Sequence, residues 1–404
     1  MSLPLAKTED QISSVAPADV MARAAEALPH VRVYSGLEEL PESFPKLFEE
    51  ARRQSIFLAL PWFQNFIRTA MAPEDRVRIY AAATAAVQGT PAGMLLMRST
   101  GPSNSFSSLR KLEALGNYYS CFYAPHLAAS VGDSRETLRA VAEAIAQEKP
   151  RWDVVEIKPL DVRSGEFPGL VEAFKAAGFV VQTFFSFGNW YLPVNGRSFA
   201  EYSESLPSVL KNTLNRKRKK LEKTGRAKIE IVTGGQGLEA AIDAYMKIYL
   251  SSWKQPEPYP QFVPGLIRMC ATMGALRLGI IYVDSEPAAA QLWIVHEGNA
   301  LIYKLAYDER FGELSVGTIL SATLFQHALD VDKVTEVDYL SGDQAYKKDW
   351  MSQRRERWGI LALNPRTPRG VIAIARHVGG RAVKRAAVSL VKPFRRAESR
   401  SSTA

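Results

Sequence analysis

The stretch of sequence that decides the fold runs from Leu301 to Trp350. It begins Leu301-Ile-Tyr-Lys-Leu-Ala-Tyr-Asp308, passes through a glycine-containing turn and an apolar run from Val316 to Asp330, and ends Val337-Asp-Tyr-Leu-Ser-Gly-Asp-Gln-Ala-Tyr-Lys-Lys-Asp-Trp350. This pattern predicts a strand, a loop, an amphipathic helix and a second strand that ends in a polar cluster. Such a unit directs backbone N–H groups and a few side chains at one crevice, where acyl carriers and nucleotides commonly bind.

Length and composition are typical of a two-domain globular protein. The chain has 404 residues, of which 47% are hydrophobic and 23% charged, and a chain this long usually divides its core between two domains. The sequence shows neither an apolar run long enough to span a bilayer nor a secretory signal. Its two cysteines, Cys121 and Cys270, are far apart and predict neither a disulfide framework nor a cysteine-based zinc site. We therefore expect a cytoplasmic protein.

The net charge of +9 is concentrated at the C-terminal end. Residues 366–404 hold ten of the 51 Lys and Arg residues and one of the 42 acidic residues, which leaves 41 of each sign elsewhere. A balanced body argues against nucleic-acid binding by the whole surface. In the tail, apolar residues alternate with Lys and Arg, a pattern typical of helices that lie on anionic lipid. A disordered basic tail is the equal alternative.

The order of elements predicts two similar α/β domains. After a loose N-terminus (residues 1–30), residues 31–195 read as a hairpin, a helix at Ser134–Gln147 and a strand at Asp153–Ile157. Residues 196–365 read as a three-strand meander, the helix Val316–Asp330 and the strand Glu336–Leu340. We predict an α/β (α+β) fold of tandem domains, each a mixed, mostly antiparallel sheet flanked by helices. Residues 366–404 form the basic tail.

A basic helix is predicted between the two halves, from Phe199 to Gly225. It contains the run Arg216–Lys220, while Leu210, Leu214 and Leu221 recur at helical spacing. The simplest interpretation is a solvated face opposite a packed apolar face. The alternative is a cationic rim for a phosphate-bearing substrate or for RNA. No aromatic residue lies among these bases, so a platform for stacking nucleobases is not indicated.

The second half, from about Phe199 to Leu363, resembles the GNAT-fold acetyltransferases of the BioF-like or CelD-like type, relatives of the Fem-type aminoacyl transferases. The resemblance implies two tandem GNAT-like halves, acyl-CoA or aminoacyl-tRNA as donor, and an amine or hydroxyl acceptor. It rests on an ordered set of segments: Lys211–Lys223, Ser252-Trp253, Leu276–Asp308, Gly317-Thr318-Ile319-Leu320, Asp338-Tyr339-Leu340-Ser341-Gly342-Asp343, Tyr346-Lys347 and Trp350, with fainter matches at Leu60-Pro-Trp-Phe63 and Leu115-Gly-Asn-Tyr-Tyr119.

The same resemblance implies where an acyl-CoA donor binds. In these enzymes a loop and the following helix start hold the donor pyrophosphate with backbone N–H groups, favoured by the partial positive charge of the helix N-terminus. Here that position comprises Arg310, Ser315, Val316, Gly317 and Thr318. The sequence has one of the two glycines of the family signature. The alternative is an ordinary helix start capped by Ser315.

Direct acyl transfer also needs a base, an oxyanion donor and an acid. By the resemblance, the strand Ala300–Tyr307 supplies the backbone N–H, Asp338 or Asp343 the base, and Tyr346 the acid. Lys347 and Asp308 are the predicted substrate-binding residues: Lys347 contacts a phosphate or carboxylate, and Asp308 orients the loop that follows it. The structural alternatives are a turn-forming role for Asp343, a packed aromatic at Tyr346 and a surface lysine at Lys347.

The remaining motifs exclude other chemistry. His296 and His327 lack the spacing of metal ligands, and no Walker, dinucleotide or Gly-x-Ser-x-Gly fingerprint is present. We predict an acyltransferase that uses acetyl-CoA or another acyl-CoA, without a metal, on a small-molecule or glycan-linked acceptor in exopolysaccharide or envelope biosynthesis. Two alternatives stay open: a Fem-type aminoacyl transferase that uses charged tRNA, and a non-catalytic assembly factor of a polysaccharide synthase.

Overall fold

The computed structural model describes residues 29–84, 90–100, 109–130 and 134–377. Its α-helices are α1 (Pro45–Arg52), α2 (Leu60–Ala70), α3 (Ser134–Gln147), α4 (Glu166–Ala176), α5 (Phe199–Glu204), α6 (Ser208–Thr224), α7 (Leu238–Leu250), α8 (Phe262–Thr272), α9 (Val316–Gln326) and α10 (Lys347–Trp350). Its strands are β1 (His30–Tyr34), β2 (Arg76–Ala83), β3 (Pro91–Ser99), β4 (Lys111–Ala114), β5 (His126–Leu127), β6 (Val154–Asp161), β7 (Val180–Pro193), β8 (Ala227–Val232), β9 (Leu276–Val283), β10 (Glu286–His296), β11 (Asn299–Tyr307), β12 (Glu336–Asp338) and β13 (Gln353–Leu363). Most of the predicted loose N-terminus and most of the basic tail, residues 1–28 and 378–404, lie outside the described residues.

The thirteen strands of the described residues form one sheet. Its order is β1-β2-β3-β4-β6-β13-β7-β12-β11-β10-β9-β8, with β5 paired to β3. Among these strands only the pairs β4–β6 and β11–β12 are parallel. The predicted fold class, a mixed and mostly antiparallel sheet flanked by helices, is confirmed.

The two halves have the same order of strands and helices. In the first, β1 to β4 run antiparallel, and α3 leads into β6, which pairs in parallel with β4. In the second, β8 to β11 run antiparallel, and α9 leads into β12, which pairs in parallel with β11. This repetition agrees with the tandem arrangement that the order of elements predicts.

The halves are joined by an exchange of strands at the centre of the sheet. β7, the last strand of the first half, pairs with β12 of the second half through Tyr191–Pro193. β13, the last strand of the second half, pairs along its length with β7 and also with β6. Each half therefore completes the sheet of the other. The predicted boundary near residue 195 follows β7 along the chain, but no boundary divides the sheet.

Short turns hold the meander of the second half in register. β9 and β10 are joined by Asp284 and Ser285, with φ of 51° and 67°, and β10 and β11 by Glu297 and Gly298, with φ of 45° and 72°. Two positive φ values in a two-residue loop define the turn type whose twist matches that of antiparallel strands. The predicted three-strand meander is confirmed.

Helix α6 packs as a one-sided amphipathic helix. Leu221 is buried, and Leu210 and Leu214 pack against the same apolar cluster as α9 and β10. Arg216, Lys219, Lys220 and Lys223 lie on the exposed side. The three leucines thus pack against the body, and the basic face is presented to solvent, as the leucine spacing predicts.

Several elements differ from the sequence prediction. The helix predicted from Phe199 to Gly225 is divided into α5 and α6 by residues 205–207. The helix expected over Val316–Asp330 is α-helical to Gln326 and continues as a π-helical turn over His327–Val331. The strand expected over Glu336–Leu340 ends at Asp338, because the chain bends at Leu340, whose φ is 55°. Within the described residues, no helix combines the length and apolar character needed to cross a membrane.

Candidate active site

A cleft of about 340 Å³ opens where β11 and β12 separate. The two strands pair only where Asn299, Ala300 and Leu301 face Glu336–Asp338. After Asp338 the chain separates from β11 but stays beside β7, and the amide of Tyr339 donates to the carbonyl oxygen of Trp190 at 2.9 Å. The edge of β11 that faces β12 therefore borders the cleft beyond Leu301.

The segment of β11 at the cleft is irregular. Its register with β10 places Ile302 opposite Trp293 and Lys304 opposite Leu292, so Tyr303 is the additional residue of a β-bulge. Bulges redirect backbone and side chains and are frequent beside active sites. Because β12 does not pair with this segment, its cleft-facing N–H groups are placed to donate to a carbonyl oxygen in the cleft.

Three lysines from separate elements line the cleft. Lys254 lies in the loop between α7 and α8, Lys304 on β11 and Lys347 on α10. Burial lowers the pKa of Lys254 to about 8, with a further contribution from the charge of Lys304. Burial also lowers the pKa of Lys347 to about 8. With Glu257 as the neighbouring carboxylate, the protonated cluster is positive and favours an anionic ligand.

Glu257 connects the two halves beside the cleft. Its carboxylate forms an ion pair with Lys304 and accepts a hydrogen bond from the Tyr119 hydroxyl at 2.6 Å. Burial alone would raise the pKa of Glu257, but hydrogen bonds from Lys304, Tyr119 and Tyr249 lower it overall. Tyr303 adds a second link, because its hydroxyl donates to the carbonyl oxygen of Tyr119 at 3.0 Å. Both links join β11 to the first half of the chain.

Tyr346 and Lys347 lie together in the cleft. Tyr346 is 43% exposed, and its ring packs edge-to-face against Tyr339 at 5.8 Å between centroids. Burial of part of its surface raises the pKa of Tyr346. Lys347 is only 5% exposed, and its Nζ donates to the carbonyl oxygens of Tyr339 and Ser341. Lys347 is thus a buried anchor of the turn after β12, not a surface lysine.

Asp338 and Asp343 do not line the cleft between β11 and β12. Asp338 is buried on the other side of β12, in a second pocket of about 220 Å³. Its carboxylate accepts hydrogen bonds from Asn189 and from the amide of Leu340, and it forms an ion pair with Arg355. The expectation that Asp338, Asp343 and Tyr346 face one crevice is therefore not met. Alternation along a strand explains it, since Asp338 and the next residue, Tyr339, point to opposite faces.

Asp343 is held on the rim of the sheet. Its two oxygens accept from Nε and Nη2 of Arg354 at 2.9 and 2.8 Å, and its carboxylate lies against Gly188 of β7. The hydrogen bonds from Arg354 lower the pKa of Asp343. The catalytic roles predicted for Asp338 and Asp343 remain predictions. The described geometry gives each of them a stabilising partner.

The turn before α9 is organised by Asp308. Its carboxylate accepts from the backbone amide of Arg310 at 3.0 Å and from the guanidinium of Arg310 at 2.8 Å. The hydrogen bond from the Arg310 side chain lowers the pKa of Asp308. Asp308 therefore orients this loop, while Arg310 is engaged with Asp308 and with Glu286. Substrate binding by Asp308 and donor binding by Arg310 stay predictions.

Helix α9 begins without a side-chain cap. Ser315 precedes it in the left-handed conformation, with φ of 57°, and makes no capping hydrogen bond. The first amides of the helix, at Val316, Gly317 and Thr318, are therefore not satisfied by the expected Ser315 cap, and such amides attract anions. This differs from the alternative of an ordinary start capped by Ser315.

A row of contacts leads from the start of α9 to the lysine cluster. A side chain at Gly317 would lie 3.5 Å from the ring of Tyr307, and Tyr307 packs against Trp253 with 4.7 Å between ring centroids. Lys254 lies above the Trp253 ring at 5.8 Å. The predicted donor-binding residues and the cleft are thus adjacent regions of one surface.

Sequence reasoning missed the charged residues Lys254, Glu257 and Lys304 of the cleft and Tyr119, which donates a hydrogen bond to Glu257. They come from three segments far apart along the chain, so no local spacing links them. The available signals were indirect: Ser252-Trp253 and Tyr118-Tyr119 belong to segments that carry the family resemblance. Within the described residues, no group of three or more His, Cys, Asp or Glu side chains is arranged to hold a metal ion.

Residues 208–348 match the family described as acetyltransferase (GNAT) domain. This segment, residues 208–348, is similar to GNAT acetyltransferase domains. The matched segment contains α6, the meander, α9, β12 and the second-half residues of the cleft, whereas Tyr118, Tyr119 and Cys121 of the cleft lie outside it. No curated protein matches the chain.

Solved structures support the GNAT fold over a larger part of the chain. The structure of FemX is 11% identical, covers 75% of this chain and 90% of its own, and superimposes with a TM-score of 0.51. A conserved protein of unknown function from Bacteroides thetaiotaomicron is 11% identical, covers 82% of this chain and 100% of its own, and also has a TM-score of 0.51. At these identities the likeness concerns the GNAT fold alone, and it extends through both halves.

Proposed function

We propose that this GNAT-fold enzyme transfers an acyl group from acyl-CoA to an amine, or less readily a hydroxyl, of a sugar-linked acceptor bound in the cleft between β11 and β12. The observation that carries the proposal is the unpaired edge of β11 beyond Leu301, which borders a cleft lined by Tyr346 and three lysines. Backbone donors and fixed positive charge stabilise the oxyanion that forms when an acyl group is attacked.

Each group of the cleft has a proposed role in that step. N–H groups of the bulged segment at Tyr303 bind the carbonyl oxygen of the acyl group, and their interaction strengthens as negative charge develops. Lys347 fixes the turn that carries Tyr339 and Ser341. Tyr346, whose exposed hydroxyl group lies beside the lysines, protonates the departing thiolate. The acceptor nitrogen loses its proton to a carboxylate or to water.

The start of α9 supports acyl-CoA as the donor. Its uncapped amides at Val316, Gly317 and Thr318 offer hydrogen bonds to a pyrophosphate, and the helix has eleven residues, so its N-terminal partial charge is developed. Gly317 has no side chain of its own that would keep a pyrophosphate away from its backbone amide. A donor lying from α9 across Trp253 would present its acyl group to the lysine cluster.

The rim of the cleft supports a sugar-linked acceptor. Tyr118, Trp253 and Tyr346 are three of the four exposed aromatic side chains among the described residues, and all lie in or beside the cleft. Exposed aromatic rings offer an apolar face to a sugar ring and a polar tip to its hydroxyl groups. We place this activity in the cytoplasm, in exopolysaccharide or envelope biosynthesis. Peripheral membrane contact would involve the basic tail, most of which lies outside the described residues.

One observation favours a second candidate, an aminoacyl transferase that uses charged tRNA. The exposed face of α6 carries Arg216, Lys219, Lys220 and Lys223, and Lys217 on the same helix donates to the carbonyl oxygen of Glu313 at 2.6 Å. A basic face thus borders the turn that leads into α9. RNA binding through such a face would weaken steeply with salt.

Calorimetry with the full chain tests the proposal. Acetyl-CoA and longer acyl-CoAs are titrated in parallel with free CoA and with bulk tRNA. The proposal expects saturable binding of an acyl-CoA and transfer to an amino-sugar probe such as glucosamine. Absence of acyl-CoA binding together with salt-sensitive tRNA binding would replace it with the second candidate. Absence of both would favour a non-catalytic assembly factor.

A further inference from the structure

Lys254 differs from the other two lysines of the cleft in how its amine is held. Lys304 forms an ion pair with Glu257, and Lys347 donates to two backbone carbonyl oxygens. Among the described residues, the contacts of the Lys254 amine are with the rings of Tyr249 and Trp253, at 5.7 and 5.8 Å. Ring faces attract the protonated amine weakly and leave its nitrogen accessible when the proton departs.

The position of Lys254 is that of an acceptor. It lines the cleft together with the bulged segment of β11, whose backbone N–H groups are the donors for an acyl carbonyl oxygen. It also follows Trp253, the ring that connects the cleft to Tyr307 and to the start of α9. An amine on this loop therefore lies where the reacting acyl group is expected to be presented.

We propose that Lys254 is a self-acylation site: with acyl-CoA bound and the acceptor absent, the enzyme transfers the acyl group to Nζ of Lys254. This rests on the proposed function, because it uses the same cleft and the same donor. The neighbouring lysines provide an internal contrast. Lys304 is paired with a carboxylate and Lys347 donates to two carbonyl oxygens, so both of these amines are held by oxygen partners.

The chemistry is ordinary aminolysis of a thioester. The neutral Lys254 amine attacks the carbonyl carbon, a C–N bond forms, and the C–S bond breaks. CoA leaves as the thiolate and takes up the proton that the nitrogen loses, so the products are an amide and the free thiol of CoA. Burial among Tyr249 and Trp253, with Lys304 and Lys347 as like charges and Glu257 as the opposing one, lowers the pKa of Lys254 to about 8. A substantial fraction of Lys254 is then neutral just below pH 8.

Self-acylation would change the charge that the cleft presents. Three ammonium groups and the carboxylate of Glu257 give a net charge of +2, and an amide at Lys254 reduces it to +1. An amide is too stable to pass its acyl group on, so the product is a modified enzyme and not a transfer intermediate. We expect weaker binding of anionic ligands to the modified cleft.

Mass spectrometry of the full chain tests this inference. The protein is incubated with acetyl-CoA in the absence of acceptor, and the intact mass and the tryptic peptides are followed with time. The expected result is one acetyl group per chain, on the peptide that contains Lys254. The Lys254→Arg variant keeps the charge and should gain none, whereas Lys219→Arg, on the exposed face of α6, should be modified at Lys254 like the wild type.

Parallel calorimetry separates the possible failures. If acetyl-CoA binds while Lys254 stays unmodified, the inference is wrong and the proposed function stands. If acetyl groups spread equally over Lys219, Lys220 and Lys254, the reaction is solution chemistry and the inference is again wrong. If acetyl-CoA does not bind at all, the proposed donor fails, and self-acylation fails with it.

Discussion

Nζ of Lys347 lies 3.1 Å from the carbonyl oxygen of Tyr339, and this contact ties α10 to the turn that follows β12. A buried ammonium that donates to carbonyl oxygens replaces the hydrogen bonds that a strand partner would otherwise make. It allows the chain to leave β11 after Asp338 without burying unsatisfied carbonyl groups. The turn beside the cleft is therefore held by the side chain of Lys347, which follows Tyr339 by eight residues.

Replacing Lys347 should destabilise the fold. In Lys347→Met the carbonyl oxygen of Tyr339 loses its donor, and we expect the free energy of unfolding to fall by about 1–3 kcal/mol. Urea denaturation measures the change. Lys348→Met is the matched control, because Lys348 is the exposed neighbour on the same short helix. Equal effects of the two substitutions would contradict an anchoring role for Lys347.

Tyr346→Phe separates catalysis from packing. It removes only the hydroxyl group and keeps the ring against Tyr339. Losing a proton donor typically lowers turnover by about 10²–10⁴-fold, so we expect a fall in kcat with acyl-CoA affinity retained. Tyr191→Phe is the control, since its hydroxyl contacts Gln353 on the exposed surface. Near-normal kcat in Tyr346→Phe would remove the acid role.

Asp338→Asn and Asp343→Asn should differ in stability. Asp338→Asn weakens a buried ion pair with Arg355 and should lower the free energy of unfolding by about 1–3 kcal/mol. Asp343→Asn breaks an exposed pair with Arg354 and should cost about 0–1 kcal/mol. Thermal or urea unfolding tests this, with turnover measured on the same samples. A large loss of turnover in a variant of normal stability would support its predicted role as the base.

Gly317→Glu tests the place of the donor. The nearest atom to an added Cβ is in Tyr307 at 3.5 Å, an ordinary contact, so the variant should fold. A carboxylate at the start of α9 would repel a pyrophosphate, and we expect loss of acyl-CoA binding by calorimetry. Gly165→Glu adds the same charge at an open position in the first half and should bind normally. Unchanged affinity in Gly317→Glu would move the donor elsewhere.

The depressed pKa of Lys254 makes stability depend on pH in a defined direction. Its pKa is lowered from 10.5 to about 8 in the folded state, so between these values the unfolded chain binds more protons. The contribution of Lys254 to the free energy of unfolding should therefore rise with pH from about 8 to 10.5. We expect the wild type to gain stability relative to Lys254→Met over this interval. A constant difference between the two proteins would show that the Lys254 pKa is not lowered.

Local patterns explain why much of the second half could be predicted. The turn residues Asp284-Ser285 and Glu297-Gly298 and the apolar spacing in α9 act within a few residues, and they reproduce the meander and the helix. The end of β12 was misplaced, because Asp338 is drawn into contacts with Asn189 and Arg355 far along the chain. The sequence pattern of one strand does not predict contacts with residues so far away along the chain.

The pairing of β7 with β13 and the charge of the cleft depend on non-local contacts of this kind. Residues 180–191 and 353–363 pair although they are far apart along the chain, as in the pairs Tyr191–Gln353 and Val180–Leu363. No periodicity in either strand predicts which strand it pairs with. Likewise, Lys254, Lys304 and Lys347 lie on a loop, a strand and a helix, each with an unremarkable local sequence. The resemblance located the second-half segments, but only the fold assembles them into a site.

The shared centre of the sheet has a consequence for how this protein can be divided. A fragment that ends near residue 195 would lack β13 and leave long edges of β6 and β7 open, and a fragment that begins there would leave β12 without β7. Exposed strand edges of this length recruit other chains. Neither repeat is therefore expected to survive as an autonomous unit. The two fragments would have to be produced together, so that β7 can pair with β12 and β13, to form the native sheet.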